Sequence, residues 1–256
     1  MIGRTNAGSG SGVRRKKLPE FTYTGEFKIE KESETDWRLY LLTSGTLQIQ
    51  RLNSAEAGVD VFLCGGGGGG GSAWSSISCG GGGGYVKTSK NVLLEAGTQY
   101  PIVIGSGGRG ASSSSSSTGT AGSGGTTTFN GATANGGGAG TGSKGGSGGS
   151  GGGGRSSSTT KCNGGTNGSN GTGSNAGTGS GVNMHEFGDN NMPIYGGGGG
   201  GYSHPGYGDS IWGSNGDGSC STANRGGGGH AGVYSSKSAA GMAGVVVIRN
   251  RREADG

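Results

Sequence analysis

Proline and cysteine are scarce, with 4 residues of each in 256, and Leu, Ile, Val and Phe together supply only 34. That apolar fraction lies below the roughly 20% at which chains tend to disorder, so a large conventional core is excluded. The shortage of proline and the lack of a sustained glycine triplet exclude a collagen triple helix. No apolar run approaches the roughly 20 residues of a membrane-crossing helix, and the amino terminus lacks the apolar stretch of a signal peptide. The expectation is a soluble chain, without membrane insertion and not secreted by that route. Cys64, Cys79, Cys162 and Cys220 form no C-x-x-C pair, and His185, His204 and His230 lie far from them in sequence, so no metal site is expected. Cys64 and Cys79 bracket a glycine run, which leaves a staple open, although a reducing cytoplasm would hold thiols at first.

Charge is equally thin. The net +5 comes largely from clusters near the two ends, Arg14, Arg15, Lys16 and Lys17, and then Arg249, Arg251 and Arg252. We read them as solvated or particle-docking termini, and expect no nucleic-acid partner. Catalytic signatures are missing too. G-x-G-x-x-G matches arise by chance in so much glycine, there is no G-x-x-x-x-G-K-[ST] loop, and His185-Glu186 lacks the second histidine of a zinc-protease helix. No Ser/His/Asp constellation can be nominated. The chain is therefore read as not an enzyme, with no cofactor.

What is present is glycine, 70 residues of it, and a few apolar blocks. Residues 1–20 form a basic, Gly/Ser-containing lead that ends near Pro19, a flexible or particle-anchoring segment with Arg4, Arg14, Arg15, Lys16 and Lys17 as the anchor candidates. Residues 21–64 alternate apolar and polar: Phe21, Tyr23, Phe27 and Ile29, then Trp37, Leu39 and Leu41, then Leu47 and Ile49, then Val59, Val61 and Leu63. The pattern predicts strands with one buried face, and Gly45 suggests a tight hairpin with Leu41 and Leu47 on its two arms. Residues 65–244 carry the glycine runs, chiefly 65–71, 80–84, 136–138, 151–154, 196–201 and 226–229, broken by apolar blocks at 92–94, 100–104 and 126–129. Residues 245–256 hold a last strand, Val245 to Ile248, and a basic tail. Having no partner nearby, that strand is expected to pair with Val59–Leu63 and close the domain.

Glycine is a poor helix and strand former. The ordered state left to its runs is the polyproline-II-type helix, about three residues per turn with no internal hydrogen bonds. Where every side chain is hydrogen, such helices approach closely enough to bond through their backbones. The fold class expected is mainly β: a small antiparallel β-sandwich frame closed by its N- and C-terminal strands, with an inserted bundle of polyglycine II helices and irregular loops.

The succession Asp36-Trp37-Arg38-Leu39-Tyr40-Leu41-Leu42-Thr43-Ser44-Gly45-Thr46-Leu47, then Val59-Asp60-Val61-Phe62-Leu63-Cys64-Gly65, then Ala96-Gly97-Thr98-Gln99-Tyr100-Pro101-Ile102-Val103-Ile104-Gly105, and finally Gly244-Val245-Val246-Val247-Ile248-Arg249, resembles the glycine-rich domain of phage and prophage tail proteins. It is similar in architecture to the polyglycine II sandwiches of fibre-tip adhesins, though no fibre-binding domain precedes the glycine region. The resemblance implies a virion component, assembled in the host cytoplasm, whose partners are other tail proteins and a host-surface glycan or protein. Fibre proteins are commonly homotrimers, whereas some tip adhesins are monomers. Recognition would fall on loops between glycine helices, the richest being Met192–Tyr195 and Tyr202–Trp212. Tyr202, His204, Tyr207, Asp209 and Trp212 offer aromatic faces and a carboxylate suited to sugar or protein surfaces. The alternative is a purely architectural or decoration protein. An RNA-binding reading would want repeated Arg-Gly-Gly, of which Arg225-Gly-Gly is the one instance, and an antifreeze would want a regular triplet and a flat face.

Overall fold

The computed structural model describes residues 17–33, 36–52, 58–73, 78–112, 120–141, 144–154, 185–189, 191–203, 211–212, 225–233 and 238–250. Two five-stranded antiparallel sheets face each other. One comprises β1 (Glu20–Tyr23), β4 (Gly45–Arg51), β8 (Gln99–Val103), β9 (Thr127–Phe129) and β10 (Ala132–Ala134), in the order β1-β4-β8-β9-β10. The other comprises β2 (Phe27–Ser33), β3 (Asp36–Leu41), β5 (Gly58–Cys64), β7 (Val86–Leu93) and β14 (Val245–Asn250), in the order β2-β3-β14-β5-β7. The core between them is built by alternation, with Trp37, Leu39, Leu41, Val59, Val61, Leu63, Val246 and Ile248 from the second sheet against Leu47, Ile49, Tyr100, Ile102 and Phe129 from the first. Such alternation is how a strand places every second side chain on one face.

The expected closure is present: β14 lies between β3 and β5, with Val246 opposite Leu41 on one side and Leu63 on the other. Other expectations are corrected. β5 and β14 are buried along their whole length rather than on one face, because a second apolar cluster of Phe62, Cys64, Val245 and Val247 with Phe187 and Tyr195 covers the sheet's outer side. Gly45 does not close a hairpin. β3 and β4 belong to different sheets, so Leu41 and Leu47 meet across the sandwich interior. Phe27 and Ile29 stay 45% and 40% exposed, since β2 is the edge strand of its sheet, although the Phe27 ring makes T-shaped contacts with Phe21 and Tyr23. The sandwich also draws strands from 86–134, inside the interval read as glycine-rich. Cys64 and Cys79 are both free and buried.

The glycine segments stack beside the sandwich, and their hydrogen bonds repeat with a period of three. In run 65–71, the amides of Gly65, Gly68 and Gly71 donate to the carbonyls of Tyr85, Gly82 and Cys79; those of Gly66 and Gly69 to Gly125 and Gly122; those of Gly67 and Gly70 to Met242 and Ala239. Its carbonyls accept from three further runs, for example from Gly108, Gly137 and Gly229. Run 79–85 does the same, donating to Thr141, Gly153 and Gly229 in succession and accepting from Gly146 and Gly199. These two central runs are ringed by 105–111, 120–125, 135–141, 144–149, 150–154, 196–201, 225–231 and 238–244, each bonded to the next around the ring. Glycine is compulsory in the centre: a Cβ on Gly68 would stand 2.0 Å from the Gly138 carbonyl oxygen.

Connectivity gives the stack two unlike ends. Runs 65–71, 79–85, 105–111, 120–125, 135–141 and 238–244 each continue into a sandwich strand at one end. At the other end Gly71 bonds Cys79, Cys79 bonds Thr141, Ala111 bonds Gly70, Ser238 bonds Ala111 and Ala231 bonds Gly200. There a short parallel pair, β6 (Ser72–Ala73) and β13 (Gly232–Val233), extends the stack, and the described chain breaks off after Ala73, Ser112, Thr141, Gly154, Ser203 and Val233 at this end away from the sandwich.

Replacing Gly68 with Val should lower stability by more than the about 1–3 kcal/mol typical of overpacking, because backbone rather than a movable side chain blocks it. Ser123→Ala on the exposed rim should leave the melting temperature within a degree or two. Parallel thermal melts of the two variants check this, and equal melting temperatures would remove the packed-run account.

Candidate functional site

The outer face of the second sheet is where charge is concentrated. The alternation that sends Leu39, Val61 and Ile248 inward sends Arg38 and Tyr40, Asp60 and Phe62, and Val247 and Arg249 outward, and the register sets Arg38 opposite Arg249 and Arg249 opposite Asp60. Two cations directly opposite each other destabilise a sheet unless each is neutralised. Asp60 takes Arg249, with Oδ2 3.2 Å from Nη2 and 3.4 Å from Nε. Arg38 is met by a carboxylate from outside the sheet, Glu186, with Oε2 3.6 Å from Nε. Glu186 belongs to a single turn of 3-10 helix, Glu186–Gly188, in a short strap that crosses the sheet and is tied by a bridge between His185 and Ile194. Phe187, held at φ 56°, lies beneath the Arg249 guanidinium at 4.0 Å from the ring centre and against Phe62. A non-glycine residue in that region costs of order 1–3 kcal/mol, and the cation–π contact and ring packing offset it.

Glu186 is fully buried. The Tyr195 hydroxyl donates to its Oε1, while the Tyr40 hydroxyl stands 3.2 Å from its Oε2 and 3.1 Å from Oε2 of Glu30. One phenolic hydrogen thus serves two carboxylates. Burial pushes the Glu186 carboxyl above the ordinary carboxylate range, with the Tyr195 hydrogen bond and Arg38 opposing. The Tyr40 and Tyr195 hydroxyls are also pushed up, by burial first and then by the Glu186 charge. Glu30, on the exposed edge, is held below its usual value chiefly by its hydrogen bond with Lys28 at 2.7 Å. A cavity of about 260 Å³ opens between strap, sheet and stack, with Lys28, Glu30, Tyr40, Glu186, Tyr195 and Arg225 around it. Burial likewise raises the neighbouring Cys64 thiol, keeping it protonated.

Of the residues chosen from sequence, Tyr202 and Trp212 are brought together as register partners in a two-stranded ribbon, β11 (Tyr202–Ser203) and β12 (Ile211–Trp212), where run 196–201 leaves the stack. His204, Tyr207 and Asp209 lie outside the described residues, as do Arg4, Arg14, Arg15 and Lys16; Lys17 is exposed. The Met192–Tyr195 segment is no far-end loop. It closes the strap over the sheet, and Tyr195 is buried on Glu186 and Phe62. Sequence reasoning passed over Glu186 after rejecting it as a zinc-protease residue. Parity and register put Arg38, Asp60 and Arg249 on one face with Glu30 opposite Arg38, and Glu30 is engaged by Lys28 at the exposed edge, so the inner side of Arg38 was left for an acid from elsewhere in the chain. Among the described residues, no group of three or more His, Cys, Asp or Glu could hold a metal ion.

The Glu186 shift fixes a sign. A carboxyl whose folded pKa is raised binds its proton more tightly in the folded state, so its contribution is fully present below the unfolded value, roughly 4.3, and is lost as pH rises through the folded value. Urea unfolding of the wild type and Glu186→Gln between pH 4 and 8 should show the wild type losing stability relative to the variant as pH rises; a wild type that instead gains stability relative to the variant would contradict the assignment. Asp60→Asn should cost about 3–5 kcal/mol by removing the carboxylate that Arg249 pairs with in the interior, whereas Asp60→Leu with Arg249→Met should recover most of it. Denaturant titration of both variants checks this.

Among curated proteins nothing matches the chain. The family model described as a glycine-rich domain matches residues 43–251, from just before β4 to just past β14, and the chain belongs to that glycine-rich domain family.

Proposed function

We propose that this is a structural protein of a phage virion, a tail-fibre or tail-tip adhesin that attaches to the host surface through loops on a polyglycine II scaffold. The observation that carries the reading is the unlike pair of ends: the sandwich caps one end of the stack, and the described chain breaks off at the other end after Ala73, Ser112, Thr141, Gly154, Ser203 and Val233, resuming near the sandwich only at His185 and Arg225. The period-three bonding of the runs is what helices of three residues per turn produce, and a stack of such helices is a rigid base that loops can vary on. Residues 202–212 combine Tyr202, His204, Tyr207, Asp209 and Trp212, aromatic and acidic groups suited to a host glycan or protein. The basic segment with Arg4, Arg14, Arg15, Lys16 and Lys17 precedes the sandwich at the opposite end and would join the other tail proteins. No catalysis and no cofactor enter this reading.

The test replaces 204–210 by a Gly/Ser linker of equal length, leaving the pair Tyr202–Trp212 in place. Particles should assemble normally and adsorb to host cells at least tenfold more slowly. Unchanged adsorption, with electron microscopy placing a carboxy-terminal label along a tail tube or shell, would make the protein architectural and remove the receptor reading.

A further inference from the structure

The cavity beside Glu186 takes no part in the reading above, which rests on the opposite end of the molecule. Its polar groups are of both signs. Lys28 and Arg225 are cationic, Glu30 and Glu186 are acidic, and the Tyr40 and Tyr195 side chains carry hydroxyls. An anionic ligand would meet the two carboxyls and a cationic one the two basic groups. A neutral ligand rich in hydroxyls can donate to Glu30, the acid at the open rim, and accept from Lys28 and Arg225, while Glu186 stays buried behind the wall, which is the use to which convergent polar groups in a pocket are put. The remaining wall is apolar, formed by Leu42, Met192, Pro193 and Val245. The ligand therefore needs hydroxyls on its edges and a C–H face. The size limits it further: about 260 Å³ is just under the roughly 300 Å³ at which sites for drug-sized molecules begin.

We propose that this cavity binds a single neutral pyranose ring of a glycan, with Lys28, Glu30 and Tyr40 contacting its hydroxyls and Pro193 and Met192 covering its C–H face. The site is preformed because its floor cannot relax. Glu186 is fully buried and fixed by Tyr195 and Arg38, while Lys28 and Glu30 stand on the exposed edge strand, at the accessible rim. A glycan held here would lie along the side of the molecule near the sandwich, distinct from anything bound at 202–212.

Saturation-transfer NMR on the full chain tests it, with methyl α-D-glucopyranoside, galactopyranoside and mannopyranoside as probes, and methyl glucuronide and glucosamine as the acidic and cationic comparisons. At least one neutral glycoside should receive saturation, more strongly than either charged sugar. The double variant Lys28→Ala/Glu30→Ala, confined to exposed side chains, should weaken that binding at least tenfold at an unchanged melting temperature, and Tyr40→Phe should weaken it several-fold. The linker replacement at 204–210 should leave the signal intact, so this site and the far-end loops fail or stand separately. No transfer to any neutral probe, stronger transfer to a charged sugar, or binding undiminished in the Lys28→Ala/Glu30→Ala variant would each overturn the proposal.

Discussion

Where a carbonyl oxygen of one run presses against the α-carbon of the next, no side chain can exist. A Cβ on Gly67 would stand 2.1 Å from the Gly227 oxygen, and one on Gly81 2.1 Å from the Gly68 oxygen. From that spacing the composition follows. A run with neighbours on every side must be glycine throughout, as 65–71 and 80–84 are. Ring runs that face solvent do so with one residue in three, and there side chains return: Ser106, Arg109 and Ser112 are exposed along one run, Thr120, Ser123 and Thr126 along another, whereas the buried ring run 196–201 is glycine throughout. The triplet that is hard to see in the sequence is present in the bonding, its polar members supplied by the rim.

The same spacing explains why the sandwich is needed. Each backbone hydrogen bond contributes about 1 kcal/mol net, against about 1–2 kcal/mol for ordering a residue, and glycine loses more backbone freedom than any other residue. A stack held by such bonds gains when its ends are already fixed. The sandwich fixes them, since most of the runs issue directly from its strands. Its core concentrates the few large apolar residues in one place. Thr127 marks the seam, with its hydroxyl donating to the Cys64 carbonyl at 2.7 Å and accepting from the Gly105 amide at 2.9 Å, so that the last residue of β5 and the first of a ring run share one side chain.

The sandwich was legible where alternation and burial coincide. Val59, Val61 and Leu63 read correctly as inward residues, and Val245–Ile248 as their partner, because a lone apolar strand has few places to go. Gly45 was misread because a turn residue between two apolar segments looks the same whether the chain folds back in one sheet or crosses to another. Phe27 and Ile29 were misread because periodicity reports a face, and the place of β2 at the edge of its sheet decides whether that face is covered. The cavity was out of reach: its walls come from β2, β3, β14, the strap and a ring run, brought together by a topology no local pattern encodes. Even so, the pairing of Arg38 with Glu30 and of Arg249 with Asp60 across neighbouring strands was readable once the register was known.

The strap shows how this fold covers a charged sheet face with little apolar material. Arg38, Asp60, Arg249 and Glu186 are all buried, and a burial of that kind is rarely favourable for its own sake. Its effect is positional: Glu186 comes within ion-pair distance of Arg38, without a hydrogen bond to its Nε, while Phe187 sits on Arg249 and Tyr195 reaches back to the carboxyl. That fixes the course of the chain up to Tyr195, and the next residue, Gly196, opens a ring run. Long excursions elsewhere are then inexpensive, because doubling a loop adds only about 0.6 kcal/mol to its closure cost. The Glu186–Arg38 pair thus stands just ahead of the point where the chain enters the ring at Gly196.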